Sequence, residues 1–185
     1  MQMKIKKLIL SVVLILVVTV FIGGKFVKEP DEDLHTLLIG QIKLEASGFP
    51  GESHVNGIHT GDIEIHLKNK LTGEIVILTS ALGSGCFYMV NPETENYRIV
   101  KLYTLIHNPR YRQTLSMGIP TGGNISILNG KVNNLGHLVW KVDHKSESWD
   151  LSHNFHADVK AWFEKTYPGS AWNKKEWVDV TILSD

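Results

Sequence analysis

The sequence predicts a mainly β protein: an antiparallel β-sandwich of about seven strands, with one C-terminal amphipathic helix and an N-terminal transmembrane helix. Turn residues and alternating apolar residues recur several times in residues 71–103, as they do in a meander of short antiparallel strands. Apolar residues in residues 154–166 recur at the spacing of a helix with one buried face. The first 28 residues contain a long apolar run beside several lysines.

The N-terminal segment, residues 1–28, has the pattern of a membrane anchor or export signal. Three lysines precede an uncharged apolar run that begins at Leu8 and ends at Ile22. Extended to its flanks, this run reaches the ~20 residues that span a bilayer, and the preceding lysines favour a cytoplasmic N-terminus. Because no A-x-A-like cleavage site follows, we expect an uncleaved, single-pass anchor in the cell membrane with the domain extracytoplasmic. The alternative is a cleaved signal that yields a secreted or periplasmic protein.

The charge distribution argues against one class of partner. All 19 acidic residues follow Lys28, whereas five of the 19 basic residues lie within residues 1–28. The exported part therefore has 14 basic and 19 acidic residues, a net charge of −5. A nucleic-acid-binding domain needs a basic surface to neutralise phosphates, so we expect no nucleic-acid partner. The single cysteine, Cys86, allows no intramolecular disulfide.

The first strand of the predicted sandwich follows a short acidic linker, residues 29–35. In residues 36–45, apolar Ile42 and Leu44 alternate with polar neighbours. This period of two is typical of a strand with one buried face. The sandwich is therefore expected to begin at residue 36.

The central meander contains four predicted strands. Ile63, Ile65 and Leu67 alternate with polar residues before a Thr72-Gly73 turn, where glycine accepts the positive φ of a tight hairpin. The next strands are predicted at residues 74–79, 86–90 and 97–106. Residues 74–79 are apolar on both faces, which predicts a position inside the sheet, and Phe87 is expected in the core.

Two further strands, residues 125–128 and 135–142, complete the predicted sandwich, which spans residues 36–143. In the second of them, Leu138, Trp140 and Val142 lie on one side and Val139 on the other. The first three residues are therefore expected to face the core.

The turn sequences of the meander resemble a known family. Thr72-Gly73, Gly85-Cys86-Phe87-Tyr88-Met89, and Pro92 followed by Tyr97-Arg98-Ile99 resemble the TG, GxFxF and PxGxYxI rhythm of carboxypeptidase regulatory-like domains. Residues 130–138, GKVNNLGHL, are similar to the late GKVxYLGxI segment of bacterial envelope members. The resemblance covers residues 61–143 and implies a transthyretin-like, or prealbumin-like, β-sandwich. Its motifs specify turns and imply no catalytic residue.

The character of the chain changes after Asp143, and residues 144–185 are predicted to form a helix and tail packed on the sandwich. The apolar stripe of the predicted helix, residues 154–166, consists of Phe155, Val159, Trp162, Phe163 and Tyr167. This stripe is too broad to leave in water. The two-sided apolarity of residues 74–79 indicates a sheet face that needs such cover.

Nine histidines are many for this length, and a zinc site would need three or four ligands in one place. The candidate metal ligands are His54, His59, His144, Glu147, His153 and His156. The sequence contains no H-E-x-x-H motif and no paired-cysteine spacing. Scattered surface histidines are therefore the preferred interpretation, and we predict no cofactor, no metal and no catalytic residue.

Aromatic residues near the C-terminus form a candidate interface: Trp149, Trp162, Phe163, Trp172 and Trp177. They could form a platform for a ligand or glycan, or a second hydrophobic patch that joins the helix to the sandwich. The second interpretation is preferred because Trp162 and Phe163 fall on the apolar helical face. Cys86, beside Phe87, is interpreted as a small buried residue and not as a nucleophile.

The sequence alone therefore predicts a noncatalytic, membrane-anchored extracytoplasmic module with a structural role or a role in binding an envelope protein or carbohydrate. Two alternatives stay open, a small metal-dependent hydrolase that uses loop histidines and an envelope assembly or chaperone factor. The hydrolase requires converging metal ligands. The assembly factor requires an exposed apolar groove or an open sheet edge.

Overall fold

The computed structural model describes residues 27–31, 35–93, 96–107, 112–119, 123–154 and 156–182. Within these ranges the chain is mainly β, with two sheets and one α-helix. The strands are β1 (Leu37–Ser47), β2 (Gly57–His59), β3 (Ile63–Asn69), β4 (Ile75–Thr79), β5 (Cys86–Val90), β6 (Asn96–His107), β7 (Arg112–Gly118), β8 (Asn124–Ser126), β9 (Val132–Asp143), β10 (Ser148–Asn154) and β11 (Trp177–Asp179). Helix α1 spans His156–Thr166, and a short 3-10 helix spans Ala171–Lys174.

Sheet I is built on two long strands, β1 and β9, which pair in parallel from Leu37 and Val132 to Ser47 and Asp143. On its other side, each long strand pairs with one strand along its first part and with a different strand along its second part. β1 pairs first with β5 and then with β2, while β9 pairs first with β11 and then with β10. The prediction of an antiparallel sandwich is wrong for this sheet, because the pairs of β9 with β1 and with β11 are parallel. A parallel pair needs a long crossover, and the chain that forms sheet II supplies the one between β1 and β9.

Sheet II is antiparallel, with the order β4, β3, β6 and β7, and with β8 paired to the start of β6. The Thr72-Gly73 turn joins β3 to β4 as predicted, and Gly73 has a φ of 80°. The predicted position of residues 74–79 inside the sheet is wrong, because β4 is an edge strand. Its second apolar face is exposed to solvent, with Ile75 56% and Ile77 52% exposed.

The main core lies between the two sheets. The alternation in β3 and β9 predicts its members correctly, since Ile63, Ile65, Leu67, Leu138, Trp140 and Val142 are all buried there. Phe87 of β5 is also buried in this core, as predicted. It pairs with Gly40 on β1. A Cβ atom on Gly40 would lie 2.7 Å from Cζ of the Phe87 ring.

A second hydrophobic cluster lies on the outer face of sheet I, beneath helix α1. It contains Leu37, Ile39, Cys86 and Val132 from the sheet, Val159 and Phe163 from α1, Trp172 from the 3-10 helix, and Val27. Sheet I is therefore apolar on both faces at this end, which explains why a helix covers it. The helix packs on sheet I and not on the sheet that contains residues 74–79, where the apolar pattern suggested a need for cover.

The C-terminal part of the chain supplies strands as well as a cover. Residues 148–154 form β10, which pairs with β9, so the helix begins at His156 instead of residue 154. β11 also pairs with β9. Residues 144–182 thus belong in part to sheet I. Phe155 of the predicted apolar stripe lies outside the described residues.

The first described residues are fastened to the C-terminal segment. Trp172 Nε1 donates a hydrogen bond to the backbone oxygen of Lys28 at 2.8 Å, and Glu29 Oε2 accepts one from the Ala171 N–H at 2.8 Å. The predicted anchor, residues 1–28, lies almost wholly outside the described residues. Among those that the structure describes, no helix is long and apolar enough to cross a membrane.

Candidate functional site

The outer face of sheet I has a covered half and an open half. Helix α1 and the 3-10 helix cover the half formed by β5 and the first residues of β1 and β9. Strand alternation explains how the face changes along β1. Leu37 and Ile39 point toward the helix, and Lys43 and Glu45 follow on the same face, where they are partly exposed. The face therefore becomes polar where the helical cover ends.

The open half contains a recess of about 350 Å³. We name it the polar shelf, after the outward side chains that line it: Glu45, Ser47, Lys141, Asp143, Ser148 and Asp150. The strand register brings them together, because directly paired residues of neighbouring strands point to the same face. Lys141 of β9 is paired with Glu45 of β1 and with Asp150 of β10. In the next row, Asp143 is paired with Ser47 and Ser148 in the same way.

Two carboxylates at the polar shelf have fixed hydrogen-bond partners. Lys43 Nζ lies 2.7 Å from Glu45 Oε1, and this hydrogen bond lowers the pKa of Glu45. Hydrogen bonds from Ser146 and from the Lys145 N–H lower the pKa of Asp143. Both groups are therefore ionised at neutral pH and act as hydrogen-bond acceptors. A general acid would instead need a pKa near the working pH, so these two carboxylates are suited to binding and not to proton donation.

His137 lies between the polar shelf and the start of α1, in register with Gln41 on β1 and Asn154 on β10. Its Nε2 atom is buried and has no hydrogen-bond partner among the described residues. Burial lowers the pKa of this imidazole; the charge of Asp158 opposes the shift and that of Lys43 adds to it. The ring is therefore neutral at neutral pH. The sequence did not single this residue out.

The aromatic residues of the candidate interface separate into two places. Phe163 and Trp172 are fully buried in the second hydrophobic cluster, and Trp162 and Trp177 pack against it. The Phe163 and Trp177 ring centroids are 5.5 Å apart. Trp149 lies elsewhere, on β10, where it is 44% exposed and its ring centroid is 6.2 Å from that of Trp140. Phe163 and Trp172 therefore join the helical layer to sheet I and are not accessible to a ligand.

Four of the six candidate metal ligands form two pairs along the sequence. In the first pair, His54 lies in the loop after β1, whereas His59 is the last residue of β2, where its Nε2 bonds to the backbone oxygen of Val55 at 2.8 Å. The second pair, His144 and Glu147, lies in the turn between β9 and β10. The His144 ring stacks on Phe49 with a centroid distance of 4.8 Å. These contacts orient the His59 and His144 rings, and among the described residues the two pairs supply no cluster of three possible ligands.

The third pair, His153 and His156, is brought together by the end of β10 and the start of α1, with ring centroids 5.0 Å apart. Nε2 of His153 bonds to the backbone oxygen of Leu135, and Nε2 of His156 to that of Val180. Since a carbonyl oxygen only accepts, both Nε2 atoms carry hydrogen. In the described ranges, no three His, Cys, Asp or Glu side chains converge where they could hold a metal ion.

Cys86 is buried in the second hydrophobic cluster, as the sequence predicts. Burial raises the pKa of its thiol to about 12. A thiolate is the reactive form of cysteine, so this side chain is inert at neutral pH.

The sequence pattern contains a signal for part of the polar shelf that the spacing of the histidines does not reveal. In residues 148–152, Ser148, Asp150 and Ser152 alternate with Trp149 and Leu151, which is the period of a half-buried strand. This alternation predicts β10 and places its polar residues on one face. Which neighbours they meet depends on the strand order of sheet I, which the local pattern does not contain.

The comparisons with known proteins identify no family. No protein-family model matches the chain, and no curated protein matches it. Among solved structures, a leucine-rich repeat protein from Bacteroides thetaiotaomicron matches with a TM-score of 0.34 and 13% identity. The match covers 59% of this chain and 14% of that chain. At this level the likeness carries no argument about fold or function.

Proposed function

We propose that this chain is a noncatalytic extracytoplasmic binding module, tethered by its N-terminal segment, that holds a carbohydrate of the cell envelope on the polar shelf. The observation that carries the proposal is the recess that the helical layer leaves open on sheet I. Its volume of about 350 Å³ falls within the range of ~300–1,000 Å³ usual for small-ligand sites.

The side chains around the polar shelf offer the contacts that a sugar needs. The ionised carboxylates of Glu45 and Asp143 accept hydrogen bonds from hydroxyl groups, and Lys141 donates them. Ile58 of β2, which is paired with Glu45 of β1 and is 67% exposed, adds an apolar surface at the margin of the polar shelf. This combination of fixed acceptors, a donor and an apolar edge suits a ligand with many hydroxyls.

The direction of β1 supports an outward-facing site. β1 begins close to the segment that leads from the predicted anchor and ends at the polar shelf. Its 11 residues, at about 3.3 Å each, span roughly 35 Å. The proposed tether and the polar shelf therefore lie toward opposite ends of β1.

Membership of the carboxypeptidase regulatory-like domains is also part of the proposal. It is supported by the TG and GxFxF turn motifs, in which Gly73 and Gly85 have φ values of 80° and 66°. Glycine adopts such angles without the steric cost that a Cβ atom brings, which explains why the motifs contain glycine at these two positions. The family name adds no chemistry to the site.

Retention of the full-length chain on purified cell-wall polysaccharide tests the proposed function. Asp150→Ala and Lys141→Ala each remove one charged partner from the polar shelf. Each should weaken retention about tenfold or more, since a hydrogen bond to a charged group contributes ~1.5–3 kcal/mol. Glu164→Ala, which removes an acidic side chain from the exposed face of α1, is the matched control and should bind like the parent. Equal retention of all three variants would contradict a ligand on the polar shelf.

A further inference from the structure

The edge strand β4 has unpaired backbone groups on its outer side. Within the described part of the chain, β4 hydrogen-bonds to β3 alone. The Asn69 N–H donates to the Glu74 oxygen at 2.8 Å, and the Ser80 N–H donates to the Ile63 oxygen at 2.9 Å. Because inward and outward residues alternate in an antiparallel ladder, Val76 and Leu78 also face β3. The N–H and C=O groups of Ile75, Ile77 and Thr79 therefore point away from the sheet.

This edge lacks the protection that sheet edges usually have. Natural edge strands are commonly blunted by charged residues, proline or a bulge. The five residues of β4, IVILT, contain no charge, proline or glycine, and the pairing with β3 shows no register shift. The apolar surface continues past both ends of the strand, since Leu71 is 82% and Leu82 is 86% exposed. These leucines, together with Ile75 and Ile77, form an apolar rim along the edge.

We propose that this edge binds a second copy of the chain, with the two β4 strands antiparallel and Ile77 opposite Ile77. In this register Ile75 of each copy pairs with Thr79 of the other. Every outward N–H and C=O group of β4 then has a partner, and sheet II becomes continuous across the two copies. Pairing by strand addition of this kind satisfies main-chain groups that are otherwise left to water.

The apolar rim is self-complementary in the same register. Because the two β4 strands are antiparallel, the start of β4 in one copy, near Leu71, lies beside the end of β4 in the other copy, near Leu82. The two isoleucines at position 77 point to the same face and contact each other, because directly opposite residues in an antiparallel pair share a face. Four exposed apolar side chains of each copy are thus partly covered by the same four of its partner.

The charges on β3 are also self-complementary. Lys68 is paired with Ile75, and Glu64 is paired with Thr79. The twofold places the Lys68 row of one copy in line with the Glu64 row of the other. These rows are about 14 Å apart, because both β4 strands lie between them, so they add little attraction. Since β4 has no charged residue, no like charges meet directly. The symmetric apolar rim and the complete main-chain pairing therefore favour a second copy over an unrelated strand.

A cysteine at the centre of the contact tests both the pairing and its register. The test uses the full-length chain in a mild detergent, because of its apolar N-terminal segment. Opposite residues of a hydrogen-bonded antiparallel pair have Cα atoms about 5.5 Å apart, a distance that a disulfide spans. Ile77→Cys should therefore form a disulfide-linked dimer under mild oxidation. Ile75→Cys, two residues away and similarly exposed, should not form this dimer. Residue 75 of the second copy lies on the opposite side of the twofold axis, too far away for a disulfide.

A mixture of Ile75→Cys and Thr79→Cys chains should form the mixed disulfide. The native Cys86 is buried and does not compete. Equal cross-linking of the Ile77→Cys and Ile75→Cys variants would overturn the proposed register.

A charge at the same position tests the contact without cysteine chemistry. By sedimentation or light scattering the parent should have twice the monomer mass of 20.8 kDa, and Ile77→Lys should return it to the monomer. Leu128→Lys is the matched control, since Leu128 is 54% exposed and lies away from β4, and it should stay dimeric. Circular dichroism would verify that both variants are folded. A monomeric parent, or a dimer that survives Ile77→Lys, would overturn the proposal.

Discussion

Gly40 lies directly opposite Phe87 on the neighbouring strand, and its missing side chain makes room for the phenyl ring. An added Cβ would lie 2.7 Å from Phe87 Cζ and 3.2 Å from the Gly136 oxygen. The ring is 1% exposed and is enclosed by the main core, so it cannot move aside easily. One glycine thus determines where the largest buried side chain of β5 fits.

Gly40→Ala should therefore destabilise the protein by about 1–3 kcal/mol, the usual effect of overpacking a core. Thermal or chemical unfolding of the full-length chain would measure the change. Gly118→Ala is a suitable control, because Gly118 also lies in a strand and an added Cβ there has nothing within 4 Å. If the two variants unfold alike, Phe87 has more freedom than the packing indicates.

Alternation predicted the core residues of β3 and β9 because a strand that has one buried face displays that face in its own sequence. Ile63, Ile65 and Trp140 are examples. The residues of the polar shelf could not be found in this way. Lys141 and Asp150 look like ordinary solvent-facing residues until the register of β9 and β10 is known. The position of His137 beside the helix depends in the same way on packing between distant parts of the chain.

At the scale of elements, α1 forms a layer on sheet I and is not an independently stable unit. It has 11 residues, and an isolated helix of fewer than ~12–15 residues is marginal in water. Its stability therefore comes from the contacts of Val159 and Phe163 with sheet I. The sequence predicted the helix well because its apolar spacing is local.

Phe163→Ala should lower the free energy of unfolding by about 3–5 kcal/mol, the usual cost of truncating a fully buried phenylalanine. Lys165→Ala on the exposed side of the last turn should change it by less than ~0.5 kcal/mol. Lys160 is a poorer control, since its Nζ lies 5.9 Å from the Trp177 ring centroid. Denaturant titration of both variants would check the difference. Equal midpoints would mean that the helix contributes little to the stability of sheet I.

β4 and β10 show why elements were assigned less reliably than residues. β4 is apolar on both faces, which is typical of a central strand, but the chain places it at an edge with one face in water. β10 was missed although Trp149 and Leu151 alternate with polar residues in its sequence. The error at β4 concerns the neighbours of a strand, which are set by the fold as a whole, whereas β10 had a local signal.

At the scale of the whole molecule, the proposed membrane tether depends on whether the N-terminal segment is retained in the mature protein. Mass spectrometry of the mature protein should detect the peptide that contains residues 8–22, because no small-residue cleavage site follows the apolar run. The intact mass should then agree with the full chain of 20.8 kDa. A mature N-terminus at or soon after Lys25 would show instead that the segment is removed as a signal.

The parallel pairing of β1 with β9 also has a consequence for how the chain folds. The sequence separation between Leu37 and its partner Val132 is 95 residues, and contacts this distant slow folding because a long loop must close first. β1 is synthesised early, and its apolar residues from Leu37 to Ile42 have no parallel partner until β9 has emerged. During that interval β1 is exposed to aggregation and proteolysis. A chain that stops before residue 132 therefore cannot complete sheet I, whatever the stability of its finished form.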